Sequence, residues 1–249
     1  VKTASKLLEA RAVEAGYGAV PVLRSVSVAV EAGEVVALVG PNGEGKSTLV
    51  RILAGLMEPW SGEVRLGEMP LAAQGGRERA RRLAVLLQGA RPAFPFTVEE
   101  VVAQARYPWT GSWSRAGDRD REAVRVALAR TGAEGLAGRK IGALSGGEWQ
   151  RVSLARVLAQ EAAVLLLDEP AGQLDLRHRA MFRRILREEA REGRGILCVL
   201  HDLELARRVA DRAVLLAGGQ VVDEGPPEVV LRAERLGALY GIRDEGEGG

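Results

Sequence analysis

Residues Val35 to Val39 are an unbroken apolar run, and the nine that follow, Gly40-Pro41-Asn42-Gly43-Glu44-Gly45-Lys46-Ser47-Thr48, lead straight into the helical pattern Leu49 to Leu56. A buried strand that turns through glycines into a helix start aims several backbone N–H groups, and the positive end of the helix, at one point. Gly40, Gly43 and Gly45 let the backbone wrap an anion closely, where side chains would clash or forbid the turn. The G-x-x-x-x-G-K-S spacing then places the Lys46 ammonium against terminal phosphates and the Ser47 hydroxyl where it can ligate magnesium. The stretch predicts a nucleotide-phosphate loop, so the rest of the chain must fold as an α/β protein around it.

Composition narrows the class. At 249 residues the chain has room for a sizeable core, as one large domain or two packed lobes. Its 35 basic and 33 acidic residues leave a formal charge of +2, so nothing global draws it to nucleic acid, and no nucleic-acid partner is expected. The one cysteine, Cys198, cannot close an internal disulfide, which fits a reducing compartment. No apolar run nears the roughly eighteen residues of a membrane span and no charged-then-apolar leader opens the chain. The expectation is a soluble cytoplasmic protein that reaches a membrane only through a partner.

Upstream of the loop, Lys6 to Val13 and Val22 to Val30 read as strands of an antiparallel edge sheet. Tyr17, between Gly16 and Gly18, reads as a turn residue: a surface or packing tyrosine by itself, or one whose ring stacks on a nucleotide base. Downstream, Gly55 and Pro59 end the helix, and Gly62 to Leu66 reads as a strand. The run Arg77-Glu78-Arg79-Ala80-Arg81-Arg82 reads as a solvated helix face. Leu83 to Leu87 is a short buried strand that ends at Gln88, whose neutral amide suits a metal ligand or a water-orienting group. From Gly89 to about Gly142, breaks at Pro92, Pro95 and Pro108 and helical periodicity over Val98 to Ala105 and Asp118 to Thr131 predict a helical insertion between two strands. Tyr107, Trp109 and Trp113 form an aromatic loop within it, suited to packing or to a partner surface.

Three later stretches carry chemistry. In Leu144-Ser145-Gly146-Gly147-Glu148-Trp149-Gln150-Arg151, Ser145 and Glu148 form a capping box at a helix start. Two glycines in that first turn cost helix stability but bare its N–H groups, which makes a second anion site. Ala162 to Leu167 is a buried strand ending in Asp168-Glu169-Pro170. Asp168 is placed to hold magnesium through water, and Glu169 to polarise a water attacking the terminal phosphate. After the arginine-rich helix Leu176 to Glu192, the buried strand Gly195 to Leu200 ends at His201, which can donate to the terminal phosphate and sense its presence. Cys198 in that strand reads as core filling, and His178 is given no chemistry. Strands Arg212 to Leu216 and Gln220 to Asp223, a Pro226-Pro227 break, a short helix and a disordered tail from Asp244 close the chain.

Together these motifs resemble the ATP-binding subunit of an ABC transporter over nearly the whole chain. Tyr17 matches the aromatic A-loop, Gly40 to Thr48 the Walker A loop, Gln88 the Q-loop, and Ser145 to Gln150 the family signature. Val164 to Glu169 matches the Walker B strand, Leu174-Asp175 the D-loop, and His201 the switch histidine. The resemblance implies a P-loop ATPase core with a mixed sheet, an antiparallel β side sheet and an inserted α-helical subdomain. The core would comprise 1–88 and 159–243, the helical subdomain 89–158 ending in the signature helix, and the flexible tail 244–249. It implies ATP and Mg2+ as ligands, with Ser47, Gln88 and Asp168 about the metal and Ser145, Gly146, Gly147 and Glu148 about the nucleotide of a second copy. It also implies a head-to-tail homodimer on the cytoplasmic face of the membrane, working with integral-membrane permease subunits and, through them, a substrate-binding protein.

Phe96 to Val102, Arg106-Tyr107-Pro108 and Leu174 to His178 look like importers of iron-siderophore, haem and cobalamin. Glu148 to Arg151 and Leu239-Tyr240-Gly241 lean toward the cobalamin type. Import of a metal chelate is therefore expected; the alternative is a soluble ABC ATPase of repair, translation or iron-sulfur assembly. Two departures, Glu44 where a small residue is common and Gly172-Gln173 before Leu174, bear on hydrolysis rate and dimer coupling.

Overall fold

In this computed structural model, which describes residues 5–89, 94–110, 117–172 and 175–232, the chain opens on a long hairpin of β1 (Lys6–Tyr17) and β2 (Val20–Glu31). The all-buried β3 (Val35–Val39) leads into α1 (Lys46–Leu53), and β4 (Ser61–Leu66) and β5 (Met69–Pro70) return to the hairpin. Then come α2 (Gly76–Arg82) and β6 (Leu83–Leu86). The helices α3 (Val98–Ala103), α4 (Tyr107–Thr110), α5 (Asp118–Arg130) and α6 (Gly146–Ala159) separate β6 from β7 (Val164–Asp168). The remainder alternates: α7 (Leu176–Arg191), β8 (Gly195–Val199), α8 (Leu203–Val209), β9 (Arg212–Ala217), β10 (Gln220–Gly225) and α9 (Pro227–Val230).

Two sheets result. One is antiparallel in the order β2-β1-β4-β5; the other runs β10-β9-β3-β8-β7-β6 and is parallel except for β10. Strands buried on both faces need apolar residues throughout, and β3, β7 and β8 supply them. Their side chains alternate between two cores. Val35, Ala37, Val39, Leu165, Leu167, Ile196 and Cys198 pack with the helices, including α5, α6 and Phe182 of α7. Val36, Leu38, Leu166, Leu197 and Val199 pack with α1 and the antiparallel sheet. The order β3-β8-β7-β6 sets the carboxyl ends of four parallel strands side by side, which is where ligands of such sheets bind.

Several elements differ from the sequence expectation. Tyr17 is the last residue of β1, paired with Val20 across a Gly18-Ala19 turn, and so is not itself a turn residue. The hairpin strands are longer than their alternation indicates because bulges at Ala12 and Ser25, both at positive φ, break the period of two. Helix α1 stops at Leu53, three residues before Leu56, with Gly55 at φ +67° closing it. The basic run does form a helix, but it is not simply solvated: Arg77 and Arg81 both donate through Nε to the Pro108 carbonyl, at 2.9 and 2.8 Å. The expected aromatic loop is the helical turn α4, and Trp109 is pinned there by its indole N–H on the Gln160 carbonyl and by the guanidiniums of Arg81 and Arg106 over its ring. Trp113, Gln173, Leu174 and the segment from residue 233 on lie outside the described residues.

Helix α3 starts on a complete capping box: the Glu100 N–H donates to Thr97 Oγ1 at 3.2 Å, and the Thr97 N–H to the Glu100 carboxylate at 2.7 Å. Thr97→Ala should therefore lower unfolding free energy by about 1 kcal/mol, read as a shift in the urea midpoint at unchanged slope.

Candidate functional site

A cleft of about 590 Å3 opens at the carboxyl ends of the parallel strands, lined by Tyr17, Val22, Asn42, Gly43, Gly45, Lys46, Ser47, Thr48, Gln88, Glu169 and His201. Four strand-to-loop junctions thus converge, three of them at residues singled out for their place at a strand end. The loop is built tightly. Gly40, at φ +149°, lies so close to β9 that a Cβ would come within 2.0 Å of the Leu216 carbonyl oxygen, and at Gly45 (φ +94°) one would meet Leu23 at 2.7 Å. Gly45 is also the N-cap of α1 and offers no side-chain cap, and the first turn holds no acid. The opening N–H groups of α1 are therefore left to an anion from outside the helix.

Lys46 is nearly buried, and its Nζ donates to the carbonyls of Gly40 and Pro41 at 2.8 and 2.6 Å. Burial holds its pKa below the usual ammonium range, opposed by the charges of Glu169, Asp168 and Glu44. A cation under three acids at the mouth of an uncapped helix fits a polyphosphate. Asp168 is 2% exposed; burial pushes its carboxyl pKa up, opposed by the Ser47 hydroxyl, which donates to Oδ1 at 3.3 Å. A buried carboxylate beside a hydroxyl is an all-oxygen donor pair for a hard cation such as Mg2+. No group of three or more His, Cys, Asp or Glu among the described residues could hold a metal unaided, so phosphate oxygens and water would have to complete the shell.

Glu169 stands at φ +53°, uncommon for a residue with a Cβ. Both its oxygens are engaged: Gln88 Nε2 donates to Oε2 at 2.6 Å, and His201 Nε2 lies 2.5 Å from Oε1. The Gln88 amide is thus turned to Glu169, while its backbone N–H faces Asp168. Gln150 Nε2 of α6 donates to the Glu169 carbonyl at 2.9 Å, a contact that no sequence spacing signals. Val22 on the cleft wall was likewise unmarked in the sequence.

Ser145, Gly146, Gly147 and Glu148 are not part of the cleft lining. Their helix start is well formed, with the Glu148 N–H donating to Ser145 Oγ at 3.3 Å, the Ser145 N–H to the Glu148 carboxylate at 2.7 Å, and Arg139 ion-paired to the same carboxylate at 2.7 Å. The bonds with Ser145, and then Arg139, hold the Glu148 carboxyl below the usual carboxylate range. Ser145 and Gly146 face solvent. Asp175 caps α7, accepting from the His178 N–H at 2.9 Å, and its Oδ1 lies 2.7 Å from His178 Nδ1.

A glycine-wrapped lysine loop, a buried aspartate next to a cleft-facing glutamate, and a parallel sheet with an antiparallel side sheet define a nucleotide-triphosphate hydrolase of the phosphate-loop class. The model of the ABC transporter family matches residues 23–172, and the chain belongs to that family, as an ATP-binding, ATP-hydrolysing cassette. It is 52% identical over 223 residues, 90% of this chain and 79% of the other, to the hemin import ATP-binding protein HmuV of Streptomyces coelicolor. Among solved structures it matches an ATP-binding subunit of an ABC transporter with TM-score 0.82 and 29% identity, covering 94% of this chain and 98% of that one. It also matches the dimeric structure of a bacterial ABC transporter cassette with TM-score 0.79 and 27% identity, over 88% and 98% of the two chains. No helix among the described residues is long and apolar enough to cross a membrane.

Proposed function

We propose that this chain is the ATP-hydrolysing subunit of a haem importer, acting on a separate membrane permease. The observation that carries the reading is a cleft that gathers Lys46, Ser47, Gln88, Glu169 and His201 in a chain 52% identical to a protein named for hemin import. Haem is one of the three metal chelates that the sequence motifs point to, and the relative's name selects it from among them.

In this reading the α1 N–H groups, the residues Gly40 to Thr48 and Lys46 hold the β- and γ-phosphates, and Tyr17 carries the base. Ser47 and Asp168, with Gln88, would hold Mg2+, which neutralises charge on the phosphate oxygens. Glu169 accepts the proton of the attacking water once the arriving water displaces Gln88 or His201 from its carboxylate, and His201 then turns to the γ-phosphate. Ser145 to Glu148 close on the nucleotide of a second copy: Ser145 and Gly146 are exposed, and none of the four residues lines the cleft around their own chain's Lys46. Residues 1–88 and 159–243 form the nucleotide-binding core and 89–158 the helical part that meets the permease. The dimer then sits on the cytoplasmic side of the membrane, and a substrate-binding protein delivers haem from the other side.

The test is capture of the tagged Glu169→Gln chain from its own membranes with ATP present. Recovery of a polytopic permease, which takes up haem as read by Soret absorbance when reconstituted with the parent chain and not with Glu169→Gln, is the expected result. Recovery of ribosomes, repair factors or sulfur-assembly proteins would leave the ATPase standing and overturn transport.

A further inference from the structure

Tyr17 is fastened to the helix that carries the phosphate loop. Arg51 donates a guanidinium N–H to its hydroxyl at 2.9 Å, and the Thr48 hydroxyl lies 3.4 Å from the same oxygen. Thr48 and Arg51 are three residues apart on α1, so both leave the same face of the helix toward the hairpin tip. The hairpin has a second brace. Trp60 lies against Gly16, where a Cβ would come within 2.5 Å of the indole and 1.9 Å of the Val20 carbonyl oxygen, and the Trp60 N–H donates to the Glu14 carbonyl at 2.7 Å. Tyr17 is nonetheless half exposed, on the cleft. A ring tied down at its tip but open on the cleft side is a platform whose orientation is set before anything lands on it.

We propose that Arg51 is a positioning residue for nucleotide binding: with Thr48 it locks the Tyr17 ring at a fixed distance from the Lys46 loop, so that base platform and phosphate cradle are preorganised as one unit on α1. The inference rests on the reading that Tyr17 carries the base. Ordering a side chain only on binding costs affinity, and a ring already ordered avoids that cost, an effect of about fivefold in KM at a half-exposed site. Arg51 has a second possible action, because its charge also bears on Asp168 and stabilises the carboxylate there. The experiment must separate the two.

KM for ATP and the inhibition constant of tripolyphosphate, which lacks a base, are measured on Tyr17→Phe, Arg51→Met, their double variant, Arg51→Lys and Tyr17→Ala. Tyr17→Phe keeps the ring and removes only the anchored oxygen. The expected result is a rise of about fivefold in KM for each of Tyr17→Phe and Arg51→Met, no further rise in the double variant, and recovery in Arg51→Lys. Tripolyphosphate inhibition should stay unchanged throughout. Additive effects in the double variant, or tripolyphosphate weakened in step with ATP, would put Arg51 on the phosphates or Asp168 and overturn the inference. Tyr17→Ala tests the underlying reading by itself. An unchanged KM there would remove Tyr17 from the base and the inference with it. A large rise in Tyr17→Ala beside no change in Arg51→Met would keep the reading and sink only the anchor.

Discussion

Glu169→Gln is expected to cut ATP turnover by about 10²- to 10⁴-fold while ATP remains bound. The substitution keeps the volume and the backbone of the residue, so the φ of +53° costs no more than before. It changes one thing of consequence: a carboxylate that can take a proton becomes an amide that cannot. Its neighbours tolerate the exchange, because Gln88 has a carbonyl as well as an amide nitrogen and can reverse its own amide to face the new N–H group. ATP contacts on the Lys46 loop are untouched, so affinity should change by less than about threefold, within the range of a removed neighbouring charge near a partly exposed site. With hydrolysis slow and ATP held, the nucleotide-bound dimer should accumulate and be visible by light scattering at added ATP. Phosphate release within threefold of the parent would take Glu169 out of the role assigned to it, whatever the dimer does.

What could be read in the sequence was what is local. The strand, loop and helix around Lys46 were legible because glycine positions, lysine and hydroxyl occur at fixed offsets along one short stretch, and the structure keeps those offsets. The Ser145 cap was legible for the same reason, since its bonds span three residues. The junctions at Gln88, Glu169 and His201 could be marked because each follows a short apolar run, although their meeting required the strand order, which one chain's sequence does not give. What escaped is tertiary. Arg77 and Arg81 reach the Pro108 carbonyl across roughly thirty residues, and a charge-rich helix that binds a distant carbonyl has the same composition as one that binds only water. The end of β1 escaped for a different reason: two bulges restart the alternation, so a period-two reading stops at Val13 while the pairing runs on to Tyr17. Nor does spacing reveal that Gln150 holds the backbone of Glu169, or that Glu169 adopts a left-handed conformation.

The second large effect concerns the exposed helix start at Ser145. Ser145→Arg should lower ATP turnover at least a hundredfold and leave ATP affinity of the single chain within about threefold, because a long cation would occupy the exposed N-terminus of α6, where anions bind, without touching the Lys46 loop. The damage to folding is bounded. Losing the serine cap costs about 1 kcal/mol, and a positive charge at a helix N-terminus adds a few tenths to about 1 more. Ser145→Ala carries the first of those costs without the bulk, so comparing the two isolates the steric and electrostatic block. The combination with Glu169→Gln decides whether the site is shared between copies. If Ser145 acts on a partner's nucleotide, the Glu169→Gln chain dimerises on ATP and the Ser145→Arg, Glu169→Gln chain stays monomeric with ATP bound. If instead both chains dimerise alike, the signature helix does not close on the second nucleotide. If ATP affinity falls as steeply as turnover, the helix start serves its own chain's cleft, and the two-copy site gives way to a one-copy one.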